Sequence, residues 1–216
     1  NHPECLVLTS GDLLLSAQYI EGYIWRVQPI QANGAKLFAA GSKKEHSFHV
    51  VGANGLAWNK VINTAPAIFI AEGYATADTL SQALEMPVIA AFDSGNLPKV
   101  AQDLHAKFPS KLIIIAGDDD RHLESTQNIN PGREKALEAA QLVNGVAVFP
   151  VFAPNEQMKS SLSDFNDLAN RSVLGLEAVK RQVASVLNSA VITPVKNQAH
   201  SKPLQLEAAK KRALVR

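Results

Sequence analysis

Lys111-Leu112-Ile113-Ile114-Ile115-Ala116-Gly117-Asp118-Asp119-Asp120 is an apolar, β-branched run that ends in three successive carboxylates. Bounded by Pro109 and by charge, it reads as a central parallel strand covered on both faces, with a binding site at its end. In extended chain, residues i and i+2 point the same way, so Asp118 and Asp120 address one point while Asp119 turns aside. Asp119 is accordingly expected to be dispensable. Two hard oxygen ligands side by side suit Mg²⁺. The plain alternative is a solvated acidic turn, and the rest of the chain has to choose between them.

Outward from this stretch the pattern alternates. Ala67–Ala71 is a short apolar strand followed by Glu72-Gly73-Tyr74 and a helical stretch, Ala75–Leu84. Pro87–Phe92 is a second strand, Asp93-Ser94-Gly95-Asn96 a loop, and Leu97 to about Phe108 an amphipathic helix that Pro109 stops. After the opening strand, Arg121–Asn130 reads as a loop, Pro131 stands near a helix start, and Gly132–Ala140 continues the helix. Val146–Val151 is a fourth strand, and a last amphipathic helix lies near Leu176–Leu187. The order predicts an α/β fold in which a parallel sheet of about four strands is flanked by helices and joined by right-handed crossovers. Residues 61–189 are assigned to this unit.

Before it, residues 1–60 read as a small antiparallel β lobe. Turn signals at Ser10-Gly11 and Asn33-Gly34 separate apolar stretches, and His46–Gly52 is read as part of the same lobe. Lys43 and Lys44 follow the Gly41-Ser42 turn, where they either form a charged loop or hold a phosphate. His46 and His49 are read as surface or core histidines, and His122 as a loop histidine.

Composition is that of an ordinary globular chain: 216 residues with 46% hydrophobic and 19% charged residues suffice for one substantial core. No apolar run approaches the ~18 residues of a membrane span, so a soluble, cytoplasmic protein with no membrane partner is expected. Cys5 is the only cysteine, which excludes an internal disulfide and a cysteine-based zinc site. The chain opens on Asn1, as expected of a piece of a longer polypeptide whose other domains would be partners. The net charge of +1 conceals a basic tail, residues 190–216, that carries +5 against −4 for the remainder. Such a tail either lies along nucleic acid or is a flexible, solvated linker.

In sheets of this kind, ligands bind outside the carboxyl ends of the strands. Glu72 follows the first strand, Asp93 the second, Asp118 and Asp120 the third, and Asp164 and Asp167 lie beyond the fourth, all at one edge. Crowded carboxylates repel one another, and a divalent cation relieves the repulsion. Phosphoryl or nucleotidyl transfer is the chemistry that follows, with Mg²⁺ shared between carboxylates and substrate phosphates. Glu72, kept free of metal, could act as general base or acid; its alternative is a carboxylate facing a helix dipole. The G-x-x-x-x-G-K-[ST] and G-x-G-x-x-G patterns are both missing, which argues against a P-loop and a dinucleotide fold. A haloacid-type phosphatase would place its nucleophilic Asp on the first strand rather than the third.

Ile70-Ala71-Glu72-Gly73-Tyr74, Asp118-x-Asp120-Arg121 and Ser163-Asp164-Phe165-Asn166-Asp167-Leu168 together resemble the Toprim domain. That domain is shared by bacterial primases, type IA and type II topoisomerases, some nucleases and recombination mediators. The similarity covers about Ala67–Ala169. Gln28-Pro29-Ile30, Asn33–Phe38, Gly41–Lys44 and Asp93–Leu97 are similar to primases of plasmids and phages, including Toprim modules attached to conjugative relaxases. The resemblance implies Glu72 as the acid-base or metal-proximal residue and Asp118 and Asp120 as ligands of Mg²⁺ or Mn²⁺. It makes Asp164 and Asp167 candidates for a further metal.

The chain departs from the replicative primases in two places: residues Arg121–Asn130 precede Gly132, and Asp167 is offset by one position. Arg121, Arg133 and Lys135 are candidates to meet phosphate; for Arg133 and Lys135 the alternative is a charged helix surface. None of Tyr19, Tyr23 and Tyr74 has the setting of a topoisomerase nucleophile. The implied activity is primer synthesis from nucleoside triphosphates on single-stranded DNA in conjugation or mobile-element replication. Phosphodiester cleavage by the same acids and a non-catalytic nucleic-acid-binding module of a relaxase are the alternatives.

Overall fold

The computed structural model describes residues 5–36 and 44–192. Lys43 and the basic tail, apart from the helical end at 190–192, lie outside the described residues.

Strand β7 (Ile113–Ala116) is the middle of the opening stretch, and it is buried throughout. Its neighbours are β5 (Ile68–Ala71) on one side and β8 (Val146–Val148) on the other, both parallel to it. Beyond β5 comes β6 (Val88–Ala90), also parallel, and at the edge β4 (His49–Val51), antiparallel. The sheet therefore runs β4-β6-β5-β7-β8. Four parallel strands are present as expected, and a fifth joins them. That fifth strand is the stretch read from sequence with the amino-terminal lobe: His49, Val50 and Val51 pair with Ala90, Ile89 and Val88.

Alternation explains why β5 and β7 carry no polar residue. Phe69, Ala71, Ile114 and Ala116 face one core with α2 (Tyr74–Leu84), α7 (Phe165–Asn170) and α8 (Gly175–Ile192). Ile68, Ile70, Ile113 and Ile115 face the other with α1 (Trp58–Thr64), α3 (Leu97–Lys107) and α5 (Pro131–Leu142). A strand covered on both faces has no solvent side on which a polar side chain could be hydrated. Among the described residues, no helix is long and apolar enough to cross a membrane.

The smaller sheet is antiparallel, with β1 (Cys5–Val7), β2 (Leu13–Gln18) and β3 (Ile24–Ile30) in sequential order. Leu15 and Ala17 of β2 enter the first core, and Gln18 bridges to Phe48, so the lobe is bound to the larger sheet.

Four helices were not foreseen: α1, α7 and two further ones. Residues Arg121–Gln127 form α4 rather than a loop, and Glu156–Ser160 form α6. Neither has a buried residue, so neither carries the apolar period by which a helix is read from sequence.

Asn96 joins the start of β4 to the end of β6. Its buried amide donates to Ser47 O at 2.8 Å and to Ala91 O at 2.7 Å, and its Oδ1 accepts from His46 N at 2.8 Å. Asn96→Ala leaves these backbone groups without partners and is expected to lower stability by about 2–3 kcal/mol in urea unfolding.

Candidate functional site

The parallel strands deliver their carboxyl ends to one edge, and the acids collect there. Glu72 follows β5 directly and precedes α2, whose N-cap is Gly73. Asp118 lies two residues past β7, and Asp120 is the N-cap of α4. Asp164 is the N-cap of α7, where its side chain accepts from Asp167 N at 2.7 Å. A backbone bond from Asp119 N to Ser163 O, 2.8 Å, ties the Asp164 segment to the end of β7. The cluster thus draws on three separate elements.

The charges within it are strongly felt. Asp118 is pushed well above the usual carboxylate range, first by burial and then by Glu72, Asp164 and Asp120, while Lys36 opposes the shift. Glu72 is raised to about 6 by burial and by Asp120 and Asp93, against Lys36 and a hydrogen bond from the Ser94 backbone. Asp164 is raised chiefly by burial, with Asp167 adding to the shift and hydrogen bonds opposing it. Asp118 Oδ1 is sealed from solvent and has no hydrogen-bond partner. A buried anionic oxygen without a donor costs free energy that a divalent cation would offset, so the residues fit Mg²⁺ or Mn²⁺.

From sequence, Asp118 and Asp120 were expected to hold one ion, with Asp164 and Asp167 as candidates for a further one. Among the described residues, no three His, Cys, Asp or Glu side chains form a group able to hold an ion unaided. Asp167 is committed elsewhere: Oδ1 pairs with Arg171 at 2.8 Å and Oδ2 accepts from Ser163 N at 3.0 Å. The arrangement suits Mg²⁺ held by one or two carboxylates, with water and substrate phosphate completing the shell.

Asp119 turns aside, as alternation requires, but into a buried network instead of solvent. It is only 3% exposed. Its Oδ2 accepts from Arg121 Nε at 2.9 Å, and its Oδ1 accepts from Asn130 Nδ2 at 2.9 Å and faces Arg133 Nη1 at 3.3 Å. Burial alone would raise its pKa; hydrogen bonds from Asn130, Arg121 and Gln157, with the Arg121 charge, outweigh that and hold it below the usual value. The expectation that Asp119 is dispensable concerns the metal site; in the fold these bonds give it a structural role. Asn130, which sequence reading passed over, caps α5 through Arg133 N at 3.2 Å and also accepts from Asp120 N at 2.9 Å. An Asn directly before a Pro at a helix start is the signal that could have found it.

The basic candidates separate. Arg121 and Arg133 meet at Asp119, whereas Lys135 pairs with Glu138 along α5 at 2.7 Å. Lys44 reaches Asp93 at 3.4 Å. The cation closest to the acids by its effect is Lys36, not singled out from sequence: its Nζ lies 3.1 Å from where a Cβ on Gly73 would stand. A bridge to Ile30 across the Asn33-Gly34 turn places it there. His46 binds Asp103 at 2.8 Å, and buried His49 binds Ser16 O at 2.9 Å, both structural roles.

Gly132 lets α5 approach the acids. A Cβ there would stand 2.9 Å from Asp118 Cβ and 3.0 Å from both Asp118 O and Asp120 Oδ2, and Gly132 N donates to Asp120 Oδ2 at 3.2 Å. Gly132→Ala is expected to weaken divalent-ion affinity, read by titration calorimetry, by about tenfold, the equivalent of roughly 1.4 kcal/mol of ligand displacement.

The raised acids give a pH dependence of stability with a definite sign. Between pH 4.5 and about 6, folded Glu72 retains a proton that the unfolded chain has released, so stability falls as pH rises through this window. The loss is at most about 2 kcal/mol for the 1.5-unit difference. Melting temperature should therefore decline from pH 5 to pH 7, and Glu72→Gln should flatten the decline.

Comparison with known proteins agrees with this geometry. A family model described as the Toprim domain matches residues 67–173. Two proteins named DNA primase TraC, both from Escherichia coli, are 40% and 41% identical to the chain. The matches cover 80% and 78% of this chain but only 21% and 15% of the relatives' length. Among solved structures, the primase fragment of the bacteriophage T7 primase-helicase superposes with a TM-score of 0.53 at 17% identity, covering 80% of this chain and 62% of that one. A T7 complex containing primase domains of two gp4 subunits gives 0.52 at 16% identity, covering 85% and 80%. These two likenesses establish the fold. The matched residues coincide with the parallel sheet and the acid-bearing loops, and the chain therefore contains a Toprim domain of the plasmid and phage primase type.

Proposed function

We propose that this chain is the primer-synthesising Toprim module of a larger primase of a conjugative or other mobile element, joining nucleotides on single-stranded DNA. The observation that carries the reading is Asp118 Oδ1, buried without a hydrogen-bond partner and close enough to Glu72, Asp120 and Asp164 for their charges to raise its pKa. Asp118 and Asp120 would hold Mg²⁺ or Mn²⁺, with Asp164 beside them. The ion, when bound, would supply charge stabilisation for phosphoryl oxygens and orient an oxygen nucleophile. Glu72, raised to about 6 by burial and by its neighbouring carboxylates, would take the proton of a primer 3′-hydroxyl near neutral pH. Lys36 offsets part of the local negative charge. The DNA primase names of the relatives support this substrate class, nucleoside triphosphates and single-stranded DNA, and their greater length supports further domains as partners.

The test is incubation with single-stranded template, labelled nucleotides and Mg²⁺ or Mn²⁺. Short oligonucleotides that disappear in Asp118→Asn are expected. Shortening of the template by the same acids would replace this reading with a nuclease, and absence of both products together with absence of divalent binding would leave a nucleic-acid-binding module.

A further inference from the structure

Beside the end of β7, Asp119, Arg121, Glu124, Ser125, Arg133 and Met158 line a pocket of 440 Å³. Asp119 accepts Arg121 Nε on one oxygen and faces Arg133 Nη1 on the other, so a single buried charge anchors two guanidinium groups. The face of Arg133 also packs on the Phe149 ring, 4.3 Å from its centroid. Among the described residues, each guanidinium spends one nitrogen on Asp119, and the side chains of Arg121 and Arg133 remain 58% and 41% exposed. Their remaining donors are free for a ligand while their positions are set.

We infer that this pocket seats the phosphate chain of a nucleoside triphosphate, with Asp119 acting as a positioning residue for the two arginines. Planar guanidinium forks bind phosphate oxygens in pairs, and two forks converging on one carboxylate suit a compact run of linked phosphates. Glu124 also lines the pocket, drawn toward Asn130 Nδ2 at 3.4 Å, and its charge opposes an anion.

The inference rests on the reading of the acids as a nucleotide-handling metal site, yet it can fail separately, because anion binding needs no synthesis. The probe is inorganic tripolyphosphate, titrated by calorimetry into the full chain without metal, then with Mg²⁺, with a single-stranded oligonucleotide titrated in parallel. Arg121→Gln and Arg133→Gln should each weaken tripolyphosphate at least about tenfold. Arg133→Lys should fall between Arg133→Gln and the unaltered chain, and Glu124→Gln should bind more tightly. Circular dichroism melts identify any variant that fails to fold; Glu124→Gln and Arg121→Gln, altering half-exposed or exposed side chains, keep the test open if Arg133 proves structural. Tripolyphosphate affinities unchanged within twofold in folded arginine variants would overturn the inference, as would a loss confined to the oligonucleotide. Loss of primer synthesis in Asp118→Asn with metal-free tripolyphosphate binding retained would support both readings.

Discussion

Asp118→Asn is expected to abolish Mg²⁺-dependent nucleotide incorporation and, in the same protein, to raise the melting temperature at pH 7. Both effects have one cause. The Asp118 carboxylate is buried among Glu72, Asp164 and Asp120, and its Oδ1 has no donor, so its charge is held at a cost to the fold. Asparagine has nearly the same shape, removes the repulsion and removes the carboxylate proposed to hold the metal. The rate should fall by about 10³-fold, equivalent to roughly 4 kcal/mol of lost charge stabilisation in the transition state. Template extension at saturating Mg²⁺ and a thermal melt measure the two effects. The melt should show wild type gaining more from added Mg²⁺ than the variant does, since only a ligand that binds the folded state stabilises it. Equal Mg²⁺ stabilisation of both proteins would remove Asp118 from the metal site.

Asp119→Ala should behave in the opposite way, with stability lost first. Truncation leaves Asn130 Nδ2 without its closest acceptor and frees Arg121 and Arg133. The arginines are half exposed and can be rehydrated, so most of the cost lies in the buried amide and the lost charge-assisted bonds. About 2–3 kcal/mol is expected. For a chain of this length that lowers the melting temperature by roughly 4–12 °C. The pH dependence identifies the cause: the pKa of Asp119 is lowered in the folded protein, so its contribution is complete above the ordinary carboxylate range and disappears as pH falls through the folded value. The difference between wild type and Asp119→Ala should therefore narrow in strong acid. Since Asn130 also holds Asp120 N at 2.9 Å, residual activity should fall modestly, well short of the loss in Asp118→Asn.

These neighbouring residues show where local pattern suffices. A strand buried on both faces is written as an uninterrupted β-branched run, and a two-residue side-chain period separates Asp118 and Asp120 from Asp119 whatever surrounds them. The parallel sheet, the collection of acids at its carboxyl edge and the divergence of Asp119 from its neighbours were legible for that reason. Period says which way a side chain leaves the backbone, however, and nothing of what it meets. Asp119 enters a buried cradle built from α4, α5 and Gln157, whose Nε2 donates to Asp119 O at 2.7 Å, and none of these partners is announced by a repeat.

The same division runs through the whole chain. Sequence by itself determined the alternating strands and helices of the parallel sheet and the gathering of Glu72, Asp118, Asp120 and Asp164 at its carboxyl edge, because short-range periodicity and chain order carry that information. Tertiary structure alone decided that β4 completes the larger sheet, that Lys36 faces the acids, that Asp167 is tied to Arg171 and that Arg121 and Arg133 share one carboxylate. Each of these depends on contacts made across the fold or on competition for a nearby partner, and the free energy of a pairing depends on its distance and solvent exclusion, which only the folded chain sets.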